Sequence, residues 1–327
     1  MNALVGARVH EMAQQKGTPN VGPRFTLDSK VADFLPEWLP NADADADAAA
    51  PPVASVADVT VRQMLQMSDS LDGDEKYFPG LPVTEMLFAD PAAGQAAIDT
   101  ATLRLDGAGC FHYSSVTTNC LCKALGNTFA GGQAEARAYP TQALFRPLGM
   151  RSARIETDGA GIFQGSSFGW ATARDWARLA LLFMYDGMWW PEGSGPAAKP
   201  GGRTHRILPE GWVDFSKTPT PTSRGQYGAH FWIGGSNATE AASDSDRVKD
   251  CDRVFPTRLD PPKDWLRTAY PPGTFLMHGF EEQSIAITPA HKIVLLRMGA
   301  TKEVVLSWNK TAFYRGVYRT IDTLAPE

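Results

Sequence analysis

A serine paired with a lysine one helical turn later is the clearest pattern for nucleophilic chemistry in a protein sequence. A serine hydroxyl is a weak nucleophile until a neighbouring base takes its proton. In Ser-x-x-Lys the two side chains share one helix face, so the lysine can reach the hydroxyl. This sequence contains the pattern once, at Ser307-Trp308-Asn309-Lys310. It follows the last predicted strand and lies far along the chain from Tyr113, the candidate acid/base residue discussed below. We therefore interpret it as a coincidence.

Metal-ligating residue types are present without the spacing of a metal site. Six histidines are scattered, and none pairs as His-x-His or His-x-x-x-His. Cys120 and Cys122 are separated by one residue, which does not suit a zinc pair. The sequence therefore predicts no metal and no cofactor. With Cys110 and Cys251 the cysteines number four, too few for a disulfide scaffold of this size, so we expect plain thiols.

The elements that must position reactive side chains are mainly helical in the first two thirds of the chain. Residues 3–16 place Val5, Val9 and Met12 on one apolar face. Thr60 is a suitable N-cap for a short helix. Further helices are predicted over 116–129, 134–146 and, most strongly, 173–186 with Thr172 as its cap.

The last third changes to short segments rich in β-branched and aromatic residues, which is typical of strands. Strands are predicted over 227–233, 274–277, 284–287 and 292–298, followed by a helix over about 308–323. The turn at 289–291 can join the last two strands as a hairpin. Helices followed by antiparallel strands predict an α+β fold and not a doubly wound sheet.

Composition narrows the class of partner. The chain is 43% hydrophobic and 20% charged, as in ordinary soluble globular proteins. Its net charge of −5 argues against a nucleic-acid partner. No apolar stretch approaches the roughly 18–20 residues that a membrane span needs. The first residues lack the features of a signal peptide, and the compartment stays open.

Seven segments occur in the order found in the β-lactamase-related serine hydrolases. They resemble most the branch that contains 6-aminohexanoate-dimer hydrolase and class C-like esterases. FHYSSVTTNCL (111–121) resembles the second active-site motif of that family, Tyr-x-Asn or Tyr-x-Ser. A lone Tyr-x-Ser is common by chance, so the resemblance rests on the order of the segments. The other six are 27–38, 59–75, 145–150, 158–183, 207–219 and 275–299.

The resemblance implies a β-lactamase/transpeptidase-like α+β fold, with an antiparallel sheet flanked by helices and a helical subdomain. It also implies acyl-enzyme hydrolysis of a small-molecule ester, amide or lactam. Tyr113 then takes the role of general acid/base, and Ser115 stands at the third position of the motif. The alternative is that Tyr113 packs as an ordinary aromatic residue while Ser114 or Ser115 caps the following helix. For Ser115 both interpretations can hold.

The third family motif, Lys-Thr-Gly or His-x-Gly, is weaker here. One alignment places it on Phe280-Glu281-Glu282, where Glu282 would replace a small glycine and crowd the substrate edge. The other places it on His278-Gly279-Phe280. We therefore predict His278, Phe280 and Glu281 as substrate-binding residues, with a partly exposed strand histidine as the alternative for His278.

Two residues of the segment 158–183 bear on the pocket wall of the resembled family. Ser166, in Gly165-Ser166-Ser167, is predicted as a substrate-binding residue. Trp176 is interpreted mainly as part of the helix core.

The nucleophile of the resembled family is missing from its expected place. Leu4-Val5-Gly6 resembles the stretch that follows Ser-x-x-Lys, which places that pair two to five residues before Met1. We expect a truncated gene model or fragment, the alternative being a real short form. Without the strands that precede this helix in the family, residues 293–298 become an open apolar edge that favours self-association.

One domain over 1–327 is predicted. It comprises the remaining nucleophile helix with the segment after it (1–40), a low-complexity insert (41–57), a mainly helical part (58–220) and the strands with the closing helix (221–327). Residues 193–204 and 236–263 are predicted to be surface loops. The function predicted is that of an esterase or amidase-like serine hydrolase, inactive as this chain. The alternative is a pseudoenzyme that binds a ligand or partner in the cleft that corresponds to the active site of the resembled family.

Overall fold

The computed structural model describes residues 1–15, 23–39, 56–73, 75–101, 109–190, 204–235, 246–255, 264–301 and 309–324. Most of the inserts 41–57 and 193–204 fall outside these described residues. So does Ser307, the serine of the single Ser-x-x-Lys pattern.

Helix α1 (Asn2–Gln14) forms as its apolar spacing predicts, and its first half is buried. Leu4 and Val5 enter the main core, while Val9 and Met12 pack at its margin. A Cβ at Gly6 would lie 2.7 Å from the Trp212 ring, so glycine is what allows the helix to approach that ring. The prediction over 3–16 is confirmed.

Eleven further helices are present in the described ranges. They are α2 (Val61–Leu65), α3 (Pro82–Phe88), α4 (Ala93–Thr100), α5 (Ser115–Gly126), α6 (Gly132–Pro140), α7 (Arg146–Leu148), α8 (Ala173–Met184), α9 (Trp212–Lys217), α10 (Asp246–Val254), α11 (Asp264–Ala269) and α12 (Lys310–Leu324). A π-helical turn, Thr141–Phe145, joins α6 to α7.

The helix starts follow the local cap signals. Thr60 and Gln63 form a capping box at α2, and Thr172 accepts a hydrogen bond from the Asp175 amide at α8. At α5 the Ser114 side chain accepts from the Thr117 amide. Ser114 is therefore the cap of α5, which leaves the Ser115 side chain for other contacts.

Strands β5 (Trp232–Ile233), β6 (Phe275–His278), β7 (Ser284–Thr288) and β8 (Ile293–Arg297) form one antiparallel sheet in this order. The predicted hairpin through 289–291 is confirmed. The strand predicted over 227–233 is mostly wrong, because the chain turns back with the Gly228 amide donating to the Phe231 carbonyl. Two small antiparallel pairs are β1 (Arg154–Ile155) with β2 (Gly169–Trp170) and β3 (Met188–Trp189) with β4 (His205–Arg206).

Both faces of the four-stranded sheet are covered, each by a different hydrophobic cluster. Phe275 and Ile287 join the large core that contains α1 and α8. Leu276 and Ala286 face the other way and pack with aromatic residues of α11 and α12. Helices and an antiparallel sheet therefore make the predicted α+β fold. Strand β8 is an edge of this sheet within the described residues, and self-association through it stays a prediction.

Two predictions about the region 236–263 and the cysteines are wrong. Cys110 and Cys251 form a disulfide, and the charged stretch contains helix α10. Val248, Cys251 and Phe255 recur at helical spacing and are buried. This mostly polar segment therefore has a narrow apolar face. Cys120 and Cys122 are buried free thiols, as expected.

No helix in the described ranges is both long and apolar enough to cross a membrane.

Candidate active site

Tyr113 lies in the extended segment that leads into α5. Its ring packs against Trp232 of β5 at 5.6 Å and against Tyr227 at 5.8 Å between centroids. Its hydroxyl has no hydrogen-bond partner among the described residues. The aromatic packing of the alternative interpretation is thus present, and it leaves the phenol oxygen available to a ligand.

Ser115 opens helix α5 and contacts a carboxylate that the sequence reasoning missed. The Ser115 amide donates to Oε1 of Glu75 at 2.5 Å, and the Ser115 hydroxyl donates to Oε2 at 3.1 Å. The Tyr77 hydroxyl donates to the same Oε2 at 2.5 Å and lies 3.4 Å from the Ser115 hydroxyl. Three donors therefore converge on Glu75 at the positive end of the α5 dipole.

The electrostatics of this cluster favour protonated phenols. Burial, and then the nearby Glu75 carboxylate, raise the pKa of Tyr113 to about 12. The same two causes raise the pKa of Tyr77 above its usual range. At neutral pH Tyr113 therefore holds its proton and is a donor, because a carboxylate neighbour disfavours the phenolate.

Phe280 contacts this cluster from the turn between β6 and β7. Its ring contacts the Tyr77 ring edge-on at 6.3 Å, and 74% of the side chain is exposed. Three predicted residues, Tyr113, Ser115 and Phe280, thus lie around one cluster. Glu75 ends the stretch 59–75 that carried the family resemblance, but its loop has no periodicity that could have marked it or Tyr77.

His278 lies on the face of β6 that packs towards α11 and α12, which is also the side of the sheet where Tyr113 packs on Trp232. Its ring contacts Trp265 at 5.3 Å, and its Nε2 is 3.8 Å from the Glu282 carboxylate. Glu282 is only 5% exposed and forms an ion pair with Lys310. Its side chain therefore points into the protein, and the expected crowding of the substrate edge does not occur.

Glu281 stands in the turn between β6 and β7 with a left-handed backbone, φ 54°. Its carbonyl accepts a hydrogen bond from the Thr301 amide at 3.0 Å. The described contacts of Glu281 thus secure the turn.

Lys310 belongs to the single Ser-x-x-Lys pattern of the sequence. Its ammonium pairs with Glu282 and lies 5.1 Å from the Trp265 ring. Both contacts engage the ammonium with side chains outside the cluster of Ser115, Glu75 and Tyr77. The environment of Lys310 therefore supports the interpretation of this pattern as a coincidence.

Ser166 lies beside α5, one turn beyond Ser115. Its amide donates to the Asn119 side chain at 3.4 Å, and its buried hydroxyl oxygen has no hydrogen-bond partner in the described part of the chain. A Cβ at the preceding Gly165 would be 2.5 Å from Cys122 and from Met1. The Ser166 loop, the Asn119 face of α5 and the start of α1 are thus neighbours. Trp176 packs at the margin of the core, as interpreted.

The acidic, histidine and cysteine side chains form no metal-binding group within the described ranges, because no three of them come close enough together to hold a metal ion.

The family model and the solved structures that match this chain indicate the same fold. The family model described as Beta-lactamase matches residues 3–304. A solved Bacillus anthracis protein described as a 6-aminohexanoate-dimer hydrolase is 16% identical with a TM-score of 0.61, covering 100% of this chain and 72% of that one. A penicillin binding protein from Bacillus halodurans is 12% identical with a TM-score of 0.55, covering 98% and 83%.

A class C beta lactamase from Rhodobacter sphaeroides is also similar, at 12% identity and a TM-score of 0.50, covering 99% of this chain and 84% of that one. At such identities the likeness concerns the fold. Among curated proteins no significant match is found.

Proposed function

The chain belongs to the beta-lactamase family, and from this premise we propose that it serves acyl-enzyme hydrolysis of a small-molecule ester or amide. The proposed binding cleft is bordered by the first turn of α5, by Glu75 and Tyr77, and by Phe280. The observation that carries the proposal is Tyr113. It is a protonated phenol without a hydrogen-bond partner in the described chain, in the segment that resembles the second family motif.

Tyr113 is proposed to act as the general acid. When the tetrahedral intermediate collapses, the departing oxygen or nitrogen needs a proton, and a phenol with a pKa of about 12 can supply one at neutral pH. Taking a proton from a serine would require a neighbouring cation to stabilise the phenolate. The Glu75 carboxylate has the opposite effect.

The nucleophile is proposed to be the serine that the family resemblance places just ahead of α1. The start of α1 contacts Gly165, and Ser166 contacts Asn119 on the α5 face that also carries Ser115. A side chain just ahead of α1 would therefore enter the same neighbourhood. An in-frame Ser-x-x-Lys in the codons before Met1 would support this position, and an in-frame stop would contradict it.

The substrate is proposed to be neutral in the part that meets α5. Glu75 already accepts hydrogen bonds from the Ser115 amide, the Ser115 hydroxyl and Tyr77. A substrate carboxylate placed there would meet a like charge, whereas an ester or amide would not. We therefore favour neutral esters and amides over β-lactams that carry a carboxylate.

The test of the acid role uses two leaving groups. In a protein that carries the serine proposed ahead of α1, Tyr113→Phe should slow hydrolysis of an alkyl ester or amide by about 100-fold, since positioned proton transfer contributes about that much. Hydrolysis of a p-nitrophenyl ester should change far less, because its leaving group departs without a proton. Tyr227→Phe, in the same aromatic cluster, is the matched control. Equal losses for both leaving groups would contradict a general acid.

A second candidate, a ligand-binding protein without catalysis, is favoured by one observation. The hydroxyl groups of Ser115 and Tyr77 already donate to Glu75, so neither is free to donate to a substrate. Covalent labelling of the 327-residue chain by a fluorophosphonate probe would contradict this candidate. Loss of that labelling in Ser307→Ala would instead assign the nucleophile to Ser307.

A further inference from the structure

A second cleft, with a volume of about 890 Å³, lies between α7, α8 and the segment that joins α7 to β1. None of the predicted site residues lines it. Phe145, Met150 and Trp189 contribute apolar surface. Five arginines also line this cleft, which we call the arginine cleft: Arg146, Arg151, Arg154, Arg174 and Arg178.

The fold builds this cleft through one turn and one buried carboxylate. Gly149 ends α7 in the left-handed conformation, φ 71°, and turns the chain towards α8. The Ser152 amide and hydroxyl then donate to Oδ2 of Asp175 at 2.8 and 2.6 Å. Because Ser152 is held on the first turn of α8, the arginines on either side of it face the cleft together with those of α8.

The charge of the cleft is largely uncompensated. Arg178 pairs with Asp175 at 2.7 Å, and Arg154 donates to the Ala153 carbonyl at 2.7 Å. The guanidinium groups of Arg146, Arg151 and Arg174 have no ion-pair or hydrogen-bond partner among the described residues, although the whole chain is net negative.

We propose that the arginine cleft binds a small organic ligand that carries two or more phosphate groups. A guanidinium presents a planar fork of donors that matches phosphate oxygens in pairs. The first turn of α8 adds the positive end of a helix dipole. The apolar part of the lining can cover an uncharged body of the ligand, and the volume is that of an ordinary small-molecule site.

Several phosphates are required by the arrangement of charges. The unpartnered arginines come from three different places: α7, the turn after it, and the start of α8. A single phosphate can engage one or two guanidiniums, whereas a chain of phosphates can engage all three. The site shares no residue with the Tyr113 cleft, so the proposal is independent of the hydrolase function.

Calorimetric titration with sodium tripolyphosphate and with inorganic phosphate, at one ionic strength, tests the proposal. Tripolyphosphate should bind at least about tenfold more tightly than phosphate. Arg151→Ala and Arg174→Ala should each weaken tripolyphosphate binding by about 5–10-fold, as expected for loss of one charge-assisted contact. Arg319→Ala is the matched control, since it removes an exposed arginine of α12 outside the cleft.

Hydrogen exchange on the unmutated protein gives a second readout that does not depend on the variants folding. Added tripolyphosphate should protect amides within 146–154 and 172–178. Protection elsewhere, equal affinities for the two anions, or equal weakening in Arg174→Ala and Arg319→Ala would each overturn the proposal. Unchanged tripolyphosphate binding in Tyr113→Phe would show that the result is separate from the function proposed for Tyr113.

Discussion

Two carboxylates with the same small exposed fraction, Asp69 beside α5 and Asp175 in the lining of the arginine cleft, have opposite titration behaviour. Each is 4% exposed. Burial opposes the charge of Asp175, but hydrogen bonds from Ser152 and the ion pair with Arg178 outweigh it and hold its pKa below the usual range. Burial raises the pKa of Asp69 to about 7, because its Oδ2 has no partner. Asp175 lines a cleft and is held by donors, whereas Asp69 lies deeper and its Oδ2 has no partner in the described chain, so depth and partners together set the charge of each acid.

The two clefts also differ in how they are held. The Tyr113 segment depends on contacts between distant parts of the chain: the Cys110–Cys251 disulfide, the stacking of His112 on Phe255 at 4.3 Å, and the hydrogen bond from the Phe111 amide to Thr222. The arginine cleft depends on contacts over shorter distances along the chain, such as the bonds between Ser152 and Asp175, which are 23 residues apart. The first cleft should therefore be the more vulnerable to a loss of long-range ties.

The largest expected effect comes from removing the disulfide. It closes a loop of 141 residues, so Cys110→Ala with Cys251→Ala should lower the free energy of unfolding by about 2–4 kcal/mol. Urea unfolding measures this loss. Hydrogen exchange should rise at 109–115 and stay unchanged at 146–154. Reduction of the unmutated protein should give the same pattern, and a uniform rise over both segments would contradict the comparison.

An intermediate effect is expected at the arginine cleft. Asp175→Ala leaves the Ser152 donors and Arg178 without their acceptor and should cost about 2 kcal/mol. Asp214→Ala breaks an exposed i,i+3 pair with Lys217 and should cost less than about 1 kcal/mol. Thermal unfolding of the two variants gives the contrast. Similar losses of stability in the two variants would show that Asp175 contributes no more than the acidic partner of an exposed ion pair.

The smallest effect is a dependence of the free energy of unfolding on pH, in the direction that the raised pKa of Asp69 sets. Its pKa is about 7 in the folded chain and near 3.8 when unfolded, so the folded state binds more protons between these values. The contribution of Asp69 to the free energy of unfolding is therefore fully present below about pH 4 and decreases as the pH rises to about pH 7. Asp69→Asn should remove this slope and raise stability at about pH 8 by on the order of 1 kcal/mol.

Urea unfolding at about pH 5 and about pH 8 measures that slope. Asp175→Asn is the control with the opposite sign, since the pKa of Asp175 is lowered and its contribution is lost only in acid. Slopes that change equally in the two variants would contradict the assignment to Asp69.

Local patterns were predictable wherever the interactions that form them lie within a few residues. Helices α1 and α8, the caps at Thr60 and Thr172, and the hairpin of β7 and β8 follow from spacing and from cap chemistry. Helix α10 was missed because its few apolar positions are surrounded by charged residues. The strand expected over 227–233 was mostly wrong, because aromatic residues that fill a core also resemble a strand.

The amino-acid sequence by itself determined the order of the elements, the family resemblance and the placement of Tyr113 and Ser115 at the start of α5. Each depends on interactions between near neighbours or on the order of motifs. Only the tertiary structure decided that Glu75 engages Ser115, that Cys110 pairs with Cys251 and that His278 packs against Trp265. These contacts join segments far apart in the chain, and their partners are set by how helices and sheet pack together.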